Sequence, residues 1–208
     1  SASTNIEKVS QLITRLHTKG FYTIARISAF QDRSYGESHV SSGLYMLNRR
    51  GLWMDPEGMY WLDPSNATTT SWITSQVLEL RDMGFDEVLL DNFCFPNSDK
   101  YIFTGDKAGA LQSAAATLMS TCGSNKFVLS FLADTSFILP EGRCRLYVTG
   151  VSAAGIGQAA AAQKDLSEPE IRLVFLAESG DTRYEKYSVL RSLHVAEEVE
   201  ARRNNEAE

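Results

Sequence analysis

Residues 84–96, GFDEVLLDNFCFP, put two carboxylates into what must otherwise be a buried strand, and no other feature restricts the fold as much. On a period of two, Phe85, Glu87, Leu89, Asp91 and Phe93 share one face while Val88 and Leu90 take the other. An unpaired carboxylate in an apolar interior is strongly unfavourable. Glu87 and Asp91 must therefore look into a polar cavity or the mouth of a barrel, where partners or water meet them.

The flanking sequence supplies helices to cover such a strand. Thr4-Asn5-Ile6-Glu7 reads as a capping box for a helix with Ile6, Val9, Leu12, Ile13 and Leu16 on one stripe, closed by Gly20. A strand over 21–30 follows, with Thr23, Ala25, Ile27 and Ala29 towards the helices. Its other face carries Ile24, Arg26, Ser28 and Phe30, so Arg26 joins the polar side and is expected to form an interior ion pair with Glu87. Residues 31–64 form a long segment rich in aromatics (Tyr35, Tyr45, Trp53, Tyr60, Trp61), and loops of that length are usually functional.

Beyond it the pattern predicts helices over 65–83 and 106–122, strands over 127–133 and 145–151, a helix over 156–166 and a strand over 171–177. Tyr184, Tyr187, Leu190 and Leu193 predict a last helix from Thr182, and the charged residues 196–208 a disordered tail. Helices alternating with short apolar strands give an α/β class with a parallel sheet. Polar inward faces on two strands favour a barrel over an open sheet, whose central strands are apolar on both sides. Five strands cannot close an eight-stranded barrel of about 250 residues. The expectation is one domain over 1–195, an incomplete or truncated (β/α) TIM-type barrel with parallel strands and outer helices, its first strand an open edge that invites a homodimer.

Composition narrows the function. A formal charge of −6 without a clustered Lys/Arg surface argues against nucleic acid, and no apolar run approaches the roughly 20 residues of a membrane span. Cys94, Cys122 and Cys144 are scattered and odd in number, and no His/Cys/Asp cluster has ligand spacing, so neither a metal nor a cofactor is expected. The glycines of residues 150–157 follow a strand and open a helix but lack the tight dinucleotide spacing. The opening Ser1-Ala2-Ser3, without methionine, suggests a chain cut from a longer one.

Three segments in order, YTIARISAFQD (22–32), Trp53 through WLDPS (61–65) and GFDEVLLDNFCFP, resemble a bacterial family of glycoside hydrolase domains of uncharacterised function, related to the α-amylase-type barrel, over about residues 20–96. The resemblance implies hydrolysis of a poly- or oligosaccharide by carboxylate chemistry, with carbohydrate as the partner and a secreted or cell-surface setting. It places Arg26, Asp32, Asp63, Glu87 and Asp91 in or beside the active-site mouth. Asn92 and Cys94 stand where the family has an aromatic residue and an arginine. A catalytically inactive carbohydrate-binding barrel is the alternative.

Glycoside hydrolysis needs two carboxyl groups, and in a barrel they come from the C-terminal ends of strands. Asp91, Asp134 and Glu178 occupy such ends and are the candidates for acid, base or nucleophile. Asp91 suits the nucleophile or stabilising carboxylate, which the resemblance supports; a salt bridge to Arg26 is its structural alternative. Trp53 and Trp61 could stack on sugar rings or pin the long loop.

Overall fold

The computed structural model of the chain describes residues 2–177 and 179–192, together with the isolated positions 197 and 200. They divide into two compact units, residues 2–131 with 140–144, and residues 132–139 with the described residues from 145 onward.

The first unit opens with helix α1 (Ala2–Thr18), which starts upstream of the expected Thr4 cap, and continues into strand β1 (Ile24–Ser28). The long aromatic segment is folded. It contains helix α2 (Arg33–Ser38), a 3-10 turn at Val40–Ser42 and the short strand β2 (Tyr45–Met46). Main-chain bonds from Leu62 N–H to Phe30 O (2.7 Å) and from Asp32 N–H to Tyr60 O (3.0 Å) tie its far end back to β1. Helix α3 (Ala67–Asp82) is capped by Asn66, whose side chain accepts from Thr68 N–H. Gly84 ends it at φ +103°, a left-handed value that favours glycine.

Strand β3 (Glu87–Asp91) follows, then β4 (Tyr101–Ile102) antiparallel to β2, helix α4 (Lys107–Cys122) capped by Asp106, and strand β5 (Val128–Leu132). β3 runs parallel to β1 on one side and to β5 on the other, which leaves β1 at the edge of the sheet among the described residues. The register Ile24↔Glu87, Arg26↔Leu89, Ser28↔Asp91 puts the expected polar residues on one shared face, and Leu89↔Ser130 extends it to β5. The opposite face is apolar: Val88, Leu90, Leu129 and Phe131 are fully buried, as are Ile73 and Val77 of α3 and Leu118 of α4. Each such side chain contributes roughly 1.5–3 kcal/mol on leaving water.

The second unit contains strand β6 (Leu146–Val148), helix α5 (Ile156–Ala162), the short helix α6 (Pro169–Arg172), and strands β7 (Leu173–Ala177) and β8 (Ser188–Arg191). β6, β7 and β8 are parallel. The helix expected from Thr182 is corrected to a 3-10 turn, Thr182–Lys186, followed by β8, so the parallel strands number six among the described residues rather than five. Side chains three apart eclipse in a 3-10 turn, so Tyr184 and Tyr187 fall on one side without an α-helix. Both rings meet Phe175 edge-on, at 5.8 and 5.3 Å, and Tyr184 Oη donates to Val151 O. Leu193 and most of the tail expected to be disordered lie outside the described residues, as does Glu178.

Candidate functional site

The polar face of the first unit leads to Asp91, the last residue of β3. Its Oδ2 accepts from Arg26 Nε at 2.8 Å and Arg26 Nη2 at 2.7 Å, and its Oδ1 accepts from the Asn92 N–H at 2.7 Å. The expected Arg26–Glu87 pair is therefore corrected. Arg26 sits opposite Leu89, between the two carboxylates of the neighbouring strand, and its side chain turns to Asp91. Desolvation decides the choice: the Asp91 side chain is 22% exposed and that of Arg26 54%, whereas Glu87 is 0% exposed. A guanidinium drawn down to Glu87 would lose the hydration that it keeps at the mouth. Glu87 Oε2 instead accepts from Tyr22 Oη at 2.9 Å.

Asn92 takes φ +51°, which asparagine tolerates better than most residues. Its amide nitrogen donates to Ser28 Oγ (3.1 Å) and Gln31 Oε1 (2.9 Å), and Ser28 Oγ donates to Gln31 O (2.7 Å). Gln31 Nε2 in turn donates to Asp55 Oδ2 at 2.7 Å, an oxygen that also accepts from Trp61 Nε1 at 2.9 Å. Asp55 Oδ1 accepts the N–H groups of Glu57 and Met59, each at 2.9 Å. Burial pushes the Asp55 carboxyl up, but these four hydrogen bonds outweigh it and hold the group below the usual carboxylate range. Asp91 raises its neighbour in turn: burial first, and then the Asp91 charge, push the Cys94 thiol up.

Sequence reasoning missed Asp55 and Gln31 and took Asn92 only as a departure. The signal for Asp55 was present in Asp55-Pro56-Glu57-Gly58, where an aspartate accepts main-chain N–H groups two and four residues on. That pattern announces a turn and says nothing of the second oxygen.

Asp32 caps α2, accepting from Tyr35 N–H at 2.6 Å. Asp63 accepts from Ser65 N–H (2.8 Å) and Ser65 Oγ (2.7 Å) ahead of α3, and borders an open groove of about 970 Å³ between α3 and α4, with Thr70, Thr74, Ser113 and Thr117 along its walls. Trp53 and Trp61 are buried, Trp53 against Tyr101 at 5.6 Å and Trp61 on Asp55. Asp134 lies exposed in the turn after β5, in the second unit, and accepts from Ser136 N–H at 2.8 Å. At the opposite end of β1 and β3, Asp86 Oδ2 accepts from Thr23 N–H (2.7 Å) and Thr23 Oγ1 (2.8 Å) and meets His17 Nε2 at 2.9 Å. Among the described residues no three His, Cys, Asp or Glu side chains are placed to hold a metal ion, and no helix is long and apolar enough to cross a membrane.

Residues 1–141 match a family described as "putative glycosyl hydrolase domain". None of the curated proteins matches. Among solved structures, a hypothetical protein from Ruminiclostridium thermocellum is 24% identical with a TM-score of 0.54, over 59% of this chain and 64% of that one. This chain thus spans less than two thirds of that protein's length. Ega3 of Aspergillus fumigatus, in complex with galactosamine, aligns at TM-score 0.63 and 15% identity over 88% of this chain and 79% of its own. The glycoside hydrolase domain of PelA from Pseudomonas aeruginosa aligns at TM-score 0.61 and 15% identity, over 88% and 82%. At such identities the likeness is one of fold, and the fold class is α/β, an incomplete (β/α) barrel with parallel strands and outer helices.

Proposed function

Because the chain belongs to this glycosyl hydrolase domain family, we propose that it cleaves a poly- or oligosaccharide with Asp91 as the central functional carboxylate. The observation that carries this reading is the setting of Asp91: a carboxylate at the C-terminal end of a parallel strand, partly open to solvent, with both oxygens already accepting hydrogen bonds from Arg26 and from the Asn92 N–H. A group held in this way acts as nucleophile or as electrostatic stabiliser of an oxocarbenium-like transition state, since a general acid would need a proton on an oxygen that is accepting one. The sequence offers Asp134 and Glu178 as the candidates for the acid/base partner. Arg26 fixes the orientation of Asp91, and Asp63 on the groove between α3 and α4 offers a contact for an extended glycan.

The alternative is a barrel that binds carbohydrate without cleaving it. What favours it is that Asn92 is tied inward to Ser28 and Gln31 and that Cys94 brings a protonated thiol rather than a cation beside Asp91. A panel of polysaccharides, beginning with amino-sugar polymers because a fold neighbour holds galactosamine, separates the two. Release of reducing sugar that disappears in Asp91→Asn supports hydrolysis, and retention on the polysaccharide without release supports binding alone. The open edge at β1, with Phe21 and Tyr22 exposed beside it, is further assigned to a homodimer contact.

A further inference from the structure

We propose that Asp55 is a positioning residue for Asp91, acting through Gln31 and Asn92. This rests on the reading of Asp91 as the functional carboxylate. The relay has only one consistent direction. An ionised carboxylate can only accept, so Gln31 must present its NH2 to Asp55 Oδ2 and its carbonyl oxygen to Asn92. That leaves the Asn92 NH2 with two acceptors, Gln31 Oε1 and Ser28 Oγ, and the side chain is held at both of its protons. Held there, the residue keeps its left-handed φ of +51°, and its own N–H meets Asp91 Oδ1 at 2.7 Å.

The Asn92 N–H lies in the peptide plane that Asn92 shares with Asp91, and its direction follows ψ of Asp91; a side chain held at both protons, with φ at +51°, holds that plane through Cα. Without Gln31 the Asn92 side chain keeps only its bond to Ser28, and the peptide plane before it is held at one point rather than two. Trp61 Nε1 and the N–H groups of Glu57 and Met59 hold Asp55 from the other side, so the anchor of the relay is itself fixed by the folded 31–64 segment. This gives the aromatic loop a part in the site that needs no contact with sugar: Trp61 orients Asp55, and Asp55 orients Gln31.

The test is amide hydrogen exchange by NMR on the full chain, comparing the parent with Gln31→Met and Asp55→Asn. Gln31→Met cuts the relay while leaving the Trp61, Glu57 and Met59 bonds to Asp55 in place, so it controls for any loss of folding in Asp55→Asn. The expected result is exchange of the Asn92 N–H about tenfold faster in both variants, the worth of one hydrogen bond, with the Leu90 N–H and the Trp61 indole resonance unchanged in Gln31→Met. In an Asn92→Gly background Gln31→Met should have no further effect, because the relay is already absent. An Asn92 N–H that exchanges in Gln31→Met as it does in the parent overturns the proposal. The exchange result holds whether or not a substrate is cleaved, so failure of the relay and failure of Asp91 as the functional carboxylate are read separately. Where hydrolysis is measured, Gln31→Met should lower kcat and leave KM in place.

Discussion

Arg26 donates from both Nε and Nη2 to a single oxygen of Asp91, at 2.8 and 2.7 Å, across the parallel pair β1–β3. The pair lies at the mouth and not in the core, so it orients more than it stabilises. Exposed ion pairs contribute about 0–1 kcal/mol once water screens them. Asp91→Asn is accordingly expected to unfold within about 1 kcal/mol of the parent and to lose hydrolysis of any substrate the parent cleaves. Urea denaturation beside a reducing-sugar assay checks both. An active Asp91→Asn would remove Asp91 from the mechanism.

Arg26→Lys keeps the charge and gives up the fork that reaches one oxygen twice. If orientation is the role of Arg26, this variant should fall at least tenfold in kcat/KM, an amount equal to about 1.4 kcal/mol of transition-state binding, while its denaturation midpoint stays put. Equal activity in Arg26→Lys and parent would mean that charge alone suffices.

Glu87 presents the opposite case, a fully buried carboxylate that accepts from Tyr22 Oη. Removing the phenolic hydroxyl takes away a donor and leaves the ring, so Tyr22→Phe is expected to cost about 1.5–3 kcal/mol, the range for hydrogen bonds to charged groups. Its double-mutant cycle with Glu87→Gln measures the pair term. Additive losses would show that the bond contributes nothing of its own.

The far end of the same strands sets an acid limit. Burial raises the Asp86 carboxyl, but the hydrogen bonds from Thr23 and the contact with His17 outweigh it and bring the group below its ordinary 3.8. A carboxylate lowered in the folded state stabilises above its unfolded value, and that contribution disappears as pH falls through the folded one. Stability should thus decline as pH drops below about 3.8 towards the lowered value, with a shallower decline in Asp86→Asn. Denaturation midpoints at a series of acid pH values decide it, and identical slopes in the two proteins would assign the acid sensitivity elsewhere.

How much of this was legible in the sequence depended on whether a residue's role is local. The alternation in 85–93 and 21–30 predicted the shared polar face because side-chain period in a strand is fixed by the backbone, and β1 and β3 pair in a register that keeps it. It led to Glu87 as the partner of Arg26 where the structure has Asp91, since a shift of two residues along the strand preserves the face and changes the partner. Asp55 was invisible for a similar reason: its turn is local, while its bond to Gln31 spans 24 residues. The missed strand Ser188–Arg191 shows the limit of period counting, because Tyr184 and Tyr187 three apart fit an α-helix and a 3-10 turn equally well.

The last expectation concerns the edge. β1 pairs with β3 alone among the described residues, and next to it Phe21 and Tyr22 are exposed while Ile6, Val9 and Leu12 of α1 form an apolar ridge in water, Leu12 at 55% exposure. Among the described residues nothing pairs with the outer edge of this strand or covers the ridge, and a second copy across a two-fold axis meets both demands. Self-association at micromolar concentration is therefore expected, and Leu12→Lys, which puts a charge on the ridge without touching a buried side chain, should shift it towards monomer by at least tenfold in Kd, or about 1.4 kcal/mol. Light scattering over a dilution series measures the shift. A parent chain that stays monomeric throughout, or a Leu12→Lys variant that associates as strongly as the parent, would place the contact elsewhere or nowhere on this edge.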